Sequence, residues 1–509
     1  MKRSPLLLAG IGIGLLALGG LLTFVPSRRY AERRIIANAG SCRMDMTVVQ
    51  LSGLPENSQN GSVVLFHGLS ANKVIMTYLA RAFAEAGLRV YVPDLAGHGQ
   101  TAGPFTPDQA EACAKSFLRG LLAGGYIAPE RTILAGHSMG AAIALRAAAK
   151  VRVAGVVAIS PAPMANAHGV SPELLLYRNA PAVAPNTLII VGTLEPLWLR
   201  ANAADLAASS ADGNTKFVLV PWNSHVSVLF SPAVARMAQQ WAANVLHLPA
   251  RAPVSLPFRG NLFGGFLGLL GILLISGPFL RETIGEKPVE EIAAAGKKLS
   301  EPRVVLEFAL VSLSVVALLH YWMPLRALHL FEGDYLASFF LLSGLILVAL
   351  HPREAKAKFR IKIAMLLSAA FAALVLHLLI TGWVHLTIDG AWITLERWAR
   401  FPLLFLASLL FLYGLEVVLG PVLEGAGRQR LLFGLGLLVV VWLALTAGVM
   451  WLHSGEILLV LLSPYFALFF VLSRMGAQLV RRHSGSAVAA ALFGAILLAG
   501  FCLVLFPVS

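Results

Sequence analysis

The chain has 509 residues, 57% of them hydrophobic and only 13% charged, roughly half the charged share of an ordinary soluble domain. A mean hydropathy of +0.75 sets aside a wholly soluble protein. The net charge of +14 raises nucleic-acid binding, but no basic stripe with interleaved aromatics occurs, and most Lys and Arg stand in joints between apolar runs.

Three segments follow in order: 1–26, 27–250 and 251–509. The first holds PLLLAGIGIGLLALGGLLTFV, residues 5–25, behind Lys2 and Arg3. That run matches the ~20 apolar residues a bilayer-spanning helix needs. It is long for a signal-peptide core and no small-residue cleavage site closes it, so it reads as a retained anchor.

The middle segment alternates short apolar runs with helical patterns. Strands are expected at 62–68, 88–94, 131–138, 153–160, 186–192 and 215–221. Helices are expected at 72–86, 106–123, 139–149, 196–210 and 231–246. Apolar strands separated by helices imply a mostly parallel sheet with helices on both faces. The last segment carries about eight further spans, an all-α transmembrane bundle: 262–280, 304–323, 335–350, 363–386, 401–420, 431–452, 457–473 and 487–507.

The joints between those spans are unequal. Alternate joints, 281–303, 351–362, 421–430 and 474–486, carry fifteen Lys and Arg, against three in the others. Basic joints stay in the cytoplasm. The amino terminus is then cytoplasmic and residues 27–250 lie outside it, in a multi-pass protein of a plasma or bacterial inner membrane. Residues 286–300 read equally as an interfacial helix or a solvated loop. Glu416, His377, Glu307 and His320 fall inside expected spans, where ionisable groups are either functional or turned into a packed bundle.

Cys42 and Cys113 lie in the middle segment and Cys502 in an apolar run. The favoured reading of the first two is a pair of unrelated buried thiols; pairing is the alternative if that segment is outside the cytoplasm. No cysteine spacing suits a metal, and no cofactor is expected.

The chemistry gathers in the middle segment. Gly136-His137-Ser138-Met139-Gly140 is G-x-S-x-G between an expected strand and an expected helix. There a sharp turn lifts the serine above the strand ends, and the helix start supplies N–H groups for a developing oxyanion. A structural turn serine is the alternative. The serine needs a base, and the base an orienting acid. Glu195 follows the fifth expected strand and His225 the sixth, giving the order Ser, Glu, His. His168 is the rival base, while His67 and His98 lie in glycine-rich turns and His137 is expected to point away from its neighbour. Asp205 and Asp212 are weaker acids. The Met139 N–H, and the Leu69 N–H in HGLSANK, are the candidate oxyanion donors.

These pieces together resemble an α/β-hydrolase of the esterase, monoglyceride-lipase and serine-aminopeptidase type. The matching stretches are HGLS (67–70), DLAGHGQT (94–101), GHSMG (136–140), GTLE (192–195) and SH (224–225). The resemblance makes DLAGHGQT a structural turn rather than a catalytic one. Many relatives carry Asp where Glu195 stands. Many lipases also insert a helical lid before the strand that precedes the acid; only 161–185 fills that gap here, so an open site is expected. The implied function is a serine hydrolase cleaving a carboxylic ester, with thioester and amide bonds also open; the expected membrane location adds a membrane-bound enzyme and a lipid or lipid-linked substrate. The partners are an acyl-ester or lipid substrate and the lipid bilayer, with no nucleic acid. A sensor or accessory role for a transport or scaffold module, or acyl transfer by the same triad, is the alternative.

Overall fold

A computed structural model describes residues 5–40, 42–54, 60–164, 175–210, 214–248, 255–285, 300–359, 362–422, 427–452 and 454–509. The chain divides into two compact units. One comprises Leu18–Leu267, Val384–Trp392 and Pro507–Ser509; the other comprises Met1–Ala17, Gly268–Trp383 and Ile393–Phe506. The rival base His168 and the expected interfacial stretch 286–300 (its last residue apart) lie outside the described residues.

The first unit holds an eight-stranded sheet in the order β1-β2-β4-β3-β5-β6-β7-β8. Its strands are β1 (Tyr30–Ala39), β2 (Cys42–Leu51), β3 (Ser62–Phe66), β4 (Arg89–Pro93), β5 (Thr132–His137), β6 (Gly155–Ile159), β7 (Thr187–Gly192) and β8 (Lys216–Val220). From β4 to β8 every pairing is parallel, while β1 and β2 form an antiparallel hairpin that adds β2 antiparallel to β4. The six expected strands are all present. The hairpin is not among them, because YAERRIIANA carries an edge strand's charges rather than an apolar run. The central strands read as unbroken apolar segments because both their faces are covered. Val63, Leu65, Ile133, Ala135, Val157, Ile159 and Ile190 are fully buried in one core cluster.

The covering helices are α2 (Thr77–Glu85), α3 (Pro107–Ala123), α4 (Met139–Ala148), α5 (Leu197–Ala208) and α6 (Pro232–Val245); α1 (Pro5–Ser27) precedes the sheet. The second helix begins later than the expected 72 because the Lys73 N–H goes to Asp94 Oδ1 at 2.7 Å and residues 73–76 form turns. Cys42 of β2 and Cys113 of α3 are joined by a disulfide, with Cα atoms 5.6 Å apart. This corrects the expectation of unrelated thiols: the β1–β2 hairpin packs against α3 and brings the two together, and no sequence pattern announced that hairpin.

The remaining helices are α7 (Gly260–Ile284), α8 (Glu301–Leu319), α9 (Gly333–Leu350), α10 (Pro352–Lys358), α11 (Ile363–Thr387), α12 (Leu395–Trp398), α13 (Phe401–Val422), α14 (Gly427–Leu452), α15 (Ile457–Leu461), α16 (Ser463–Ser484) and α17 (Ala487–Leu505). Eight helices, α1, α7, α8, α9, α11, α13, α14 and α17, are long and apolar enough to cross a membrane. The expected span 457–473 is instead split at Leu462, where Pro464 opens a new helix. A proline is tolerated in a first turn but not inside a continuing helix. Helix α16 then runs on to Ser484 through the expected joint 474–486. One of its basic residues is accommodated there: Arg474 pairs with Glu416 of α13, whose other oxygen meets Arg430 Nη2 of α14 at 3.0 Å. Glu307 likewise meets His351 at 2.5 Å, and the His377 ring packs against Gly500. Three of the four ionisable residues expected inside spans are thus held by protein partners.

The disulfide closes a loop of 71 residues, for which the usual stabilisation is about 2–4 kcal/mol. Unreduced protein unfolded in denaturant should therefore show one maleimide-reactive thiol, Cys502, and three after reduction. Two further reactive thiols before reduction would rule the bridge out.

Candidate active site

The site is built on the carboxyl ends of β3, β5, β6, β7 and β8, where ligand crevices of parallel sheets form. Ser138 joins β5 to α4 with φ 53° and ψ −117°, a left-handed conformation that is costly for a residue with a side chain. The surroundings enforce it. A Cβ on Gly136 would lie 2.2 Å from Gly140 O, and one on Gly140 would lie 2.3 Å from Phe66 O. The strand and helix approach so closely that only glycine fits on either side. The Ser138 N–H is fixed by Ile159 O at 2.9 Å.

The three residues expected to act together converge. His225 Nε2 lies 3.0 Å from Ser138 Oγ, and His225 Nδ1 lies 2.9 Å from Glu195 Oε2. A carboxylate only accepts, so Nδ1 carries the hydrogen of the neutral imidazole and bare Nε2 can accept the serine proton. The Glu195 side chain is fully buried. Its second oxygen accepts two further bonds, from Ser160 Oγ at 2.5 Å and from the Gly192 N–H at 2.8 Å. Those donors offset the cost of burying a charge.

Two contributors were not read from the sequence. Ser160, just past β6, has φ 48° and reaches Glu195 only through the adjacency of β6 and β7. His137 does not simply point away. Burial and the neighbouring His225 hold its imidazole well below the usual histidine pKa, so it is neutral. Its Nε2–H donates to the His225 carbonyl at 2.7 Å and fixes the backbone of the loop carrying His225. A strand-end histidine next to the serine was the available signal, but its partner was not visible.

The loop after β3 closes the other side. A Cβ on Gly68 would lie 3.0 Å from His137 Nδ1 and 3.2 Å from Ser138 Cβ, so the chain passes directly over the serine before Leu69. His67 and His98 are structural, as expected for their turns. His67 Nε2 accepts the Leu95 N–H at 2.9 Å and His98 Nε2 accepts the Ser70 N–H at 3.2 Å. Asp205 lies on α5, and Asp212 lies outside the described residues. Among the described residues no group of three or more His, Cys, Asp or Glu could hold a metal ion.

The close approach at Gly140 carries a direct expectation. Gly140→Ala should lower the melting temperature by 5 °C or more, since its new methyl meets backbone rather than a movable side chain. An unchanged thermal transition would show that strand and helix can separate.

Residues 63–309 match the model of the alpha/beta hydrolase family. A monoacylglycerol lipase of Mycolicibacterium smegmatis is 34% identical over 126 residues, 24% of this chain and 44% of the relative. The chain thus spans less than half the length of that relative. Among solved structures, the dienelactone hydrolase of Anabaena variabilis is 21% identical, with 42% of this chain and 98% of that chain covered at a TM-score of 0.32. A monoacylglycerol lipase of Paleococcus ferrophilus is 19% identical, with 40% and 99% covered at a TM-score of 0.30. With the family match, the sheet order and the strand–serine–helix turn in agreement, the sheet-bearing part of this chain is an α/β-hydrolase domain.

Proposed function

We propose that the protein is a membrane-bound serine hydrolase that cleaves a carboxylic ester of a lipid or lipid-linked substrate, with its hydrolase domain outside the cytoplasm. The observation that carries the reading is the hydrogen-bonded series Ser138–His225–Glu195 at 3.0 and 2.9 Å. Ser138 Oγ attacks the acyl carbonyl while His225 Nε2 takes its proton, and Glu195 stabilises the imidazolium. The Leu69 and Met139 N–H groups receive the oxyanion; the chain path over Ser138 at Gly68 and the start of α4 support these two positions. His225 then protonates the departing alcohol. Water attacks the acyl-serine by the same route and releases the acid.

An apolar acyl group is favoured by the rim. Leu194, Leu197 and Trp222 flank Glu195 and His225 in sequence and are 57%, 75% and 84% exposed. Bonds between the two loops hold Leu194 and Trp222 near each other: the Trp222 N–H donates to Thr193 Oγ1 at 3.0 Å, and the Leu194 N–H to Asn223 O at 2.9 Å.

Three observations support the orientation. Basic residues concentrate in alternate joints. The Cys42–Cys113 bridge suits an oxidising compartment. The third is parity. Val384–Trp392 and Pro507–Ser509 belong to the same compact unit as the sheet, which supports a reading with all three on one side of the membrane. Between 267 and 384 stand four membrane-length helices, an even number. Between 392 and 507 the number is even only if α16 crosses with α13, α14 and α17. Its 22 residues give about 33 Å, enough to do so.

The test is labelling of intact cells with a membrane-impermeant fluorophosphonate. Native protein should label and Ser138→Ala should not. Labelling only after lysis would invert the orientation, and absence of labelling in folded protein would remove the enzyme reading in favour of an accessory role. Ser160→Ala should label about tenfold more slowly or worse while remaining folded, since it removes a hydrogen bond to a buried charge, worth about 1.5–3 kcal/mol. A native labelling rate would mean Glu195 needs only its other two donors.

A further inference from the structure

The hydrolase unit contains a segment from the other half of the sequence. Val384–Trp392, between two membrane-length helices, packs as part of it. The segment meets the unit at Asn72, three residues beyond Leu69. Asn72 Nδ2 donates to Gly390 O at 2.8 Å, and the Gly390 N–H donates to Asn72 Oδ1 at 2.9 Å. The same Oδ1 accepts the Val74 N–H at 3.0 Å. Both ends of one amide are therefore engaged, and Asn72 is only 6% exposed. The contact admits no side chain on the other partner: a Cβ on Gly390 would lie 2.4 Å from Asn72 Oδ1. Neighbouring residues extend it. A Cβ on Gly265 would lie 2.5 Å from Ile388 Cγ1 and 3.0 Å from Thr387 Oγ1. Burial and the nearby Asp94 carboxylate raise the Asp389 pKa to about 7, as expected where a carboxyl group is pressed into this corner.

We propose that residues 384–392 complete the oxyanion loop of the hydrolase domain, and that Asn72 is the positioning residue through which they hold the Leu69 N–H in place. The inference rests on the reading of Leu69 as an oxyanion donor. The loop is strained at Ser70, where φ is 60°, and must be held from both flanks. One flank is local: Ser70 N–H to His98, and Lys73 to Asp94 through both its N–H and its ammonium. The other is Gly390, 318 positions away. Without it, of these bonds the Asn72 side chain keeps only the one from the Val74 N–H, and its place between Ser70 and Lys73 is less firmly set. A shift of about 1 Å in an oxyanion donor costs one to two orders of magnitude in rate. A membrane segment that supplies this flank gives the carboxyl-terminal half a role in turnover beyond anchoring.

The test uses the full-length protein in detergent, with p-nitrophenyl butyrate as substrate and a fluorophosphonate as active-site titrant. Asn72→Ala and Gly390→Ala should each lower kcat 10- to 100-fold per titratable serine with KM within about twofold. The double variant should be no worse than the poorer single one, because both break the same contact. Asn72→Asp keeps the two bonds accepted by Oδ1, loses the one donated to Gly390 O, and should recover part of the rate. A role in folding alone would instead lower the number of titratable serines and leave kcat per serine native, and that result overturns the proposal. So would full kcat in Gly390→Ala. If native protein shows no labelling that depends on Ser138, the enzyme reading itself fails, a result separable from native-like turnover in the two variants.

Discussion

The site depends on one steric constraint, the near-contact of backbone between β5, α4 and the end of β3. Carbonyl oxygens of Phe66 and Gly140 sit where a Cβ on Gly140 or Gly136 would have to be. With no room for side chains on either flank, the chain turns within one residue, and that residue takes a left-handed φ of 53°. The strain is held by burial: Met139, Ala141, Ala142 and Ile143 are fully enclosed, and the core strands on either side are buried along their length. A less tightly packed helix would let Ser138 relax and lose its line to His225. The stability of the sheet and the reach of the serine are therefore the same packing problem.

The second requirement is a buried negative charge that stays where it is put. Glu195 is held by Ser160, Gly192 and His225 at once, each from a different strand end or the loop beyond it. Parallel order makes this possible, since β6, β7 and β8 are adjacent and all finish on one edge. His137 adds a bond from β5 to the His225 carbonyl. His225 is thereby oriented at its ring by Glu195 and at its backbone by His137, the residue preceding Ser138. Such placement matters because proton transfer requires geometry before it requires pKa.

What the sequence disclosed and what it withheld divides along physical lines. Strands buried on both faces appear as apolar runs, so all six were visible, and the residues immediately after them could be listed in chain order. The β1–β2 hairpin was not, because an edge strand bearing Glu32, Arg33 and Arg34 lacks that pattern, and with it went the Cys42–Cys113 pairing. Ser160, a serine after a strand like many others, becomes recognisable only when neighbouring strand ends are known. Asn72 and Gly390 carry no local sign at all; their meaning is a contact across 318 positions. The split at Leu462 was concealed by hydropathy, since an apolar window does not register that Pro464 opens a second helix.

The membrane-length helices then raise the question of why a hydrolase fold should be continued by so much apolar chain. Three of the ionisable residues expected inside spans have partners within the bundle. Glu416 is shared by two arginines, Glu307 is held by His351, and the His377 ring lies against Gly500. Paired and packed groups of this kind stabilise helix contacts. Val384–Trp392, the last turn of α11 and the connection after it, groups with the sheet-bearing unit itself. A loop between two membrane-length helices is positioned at both ends by those helices, which restricts it far more than a free surface loop. Under the proposal above, that restriction would reach the chain beside Ser138 through the Asn72–Gly390 bonds. A hydrolase whose oxyanion loop is fixed in this way would gain, because rate falls steeply when such a donor is displaced.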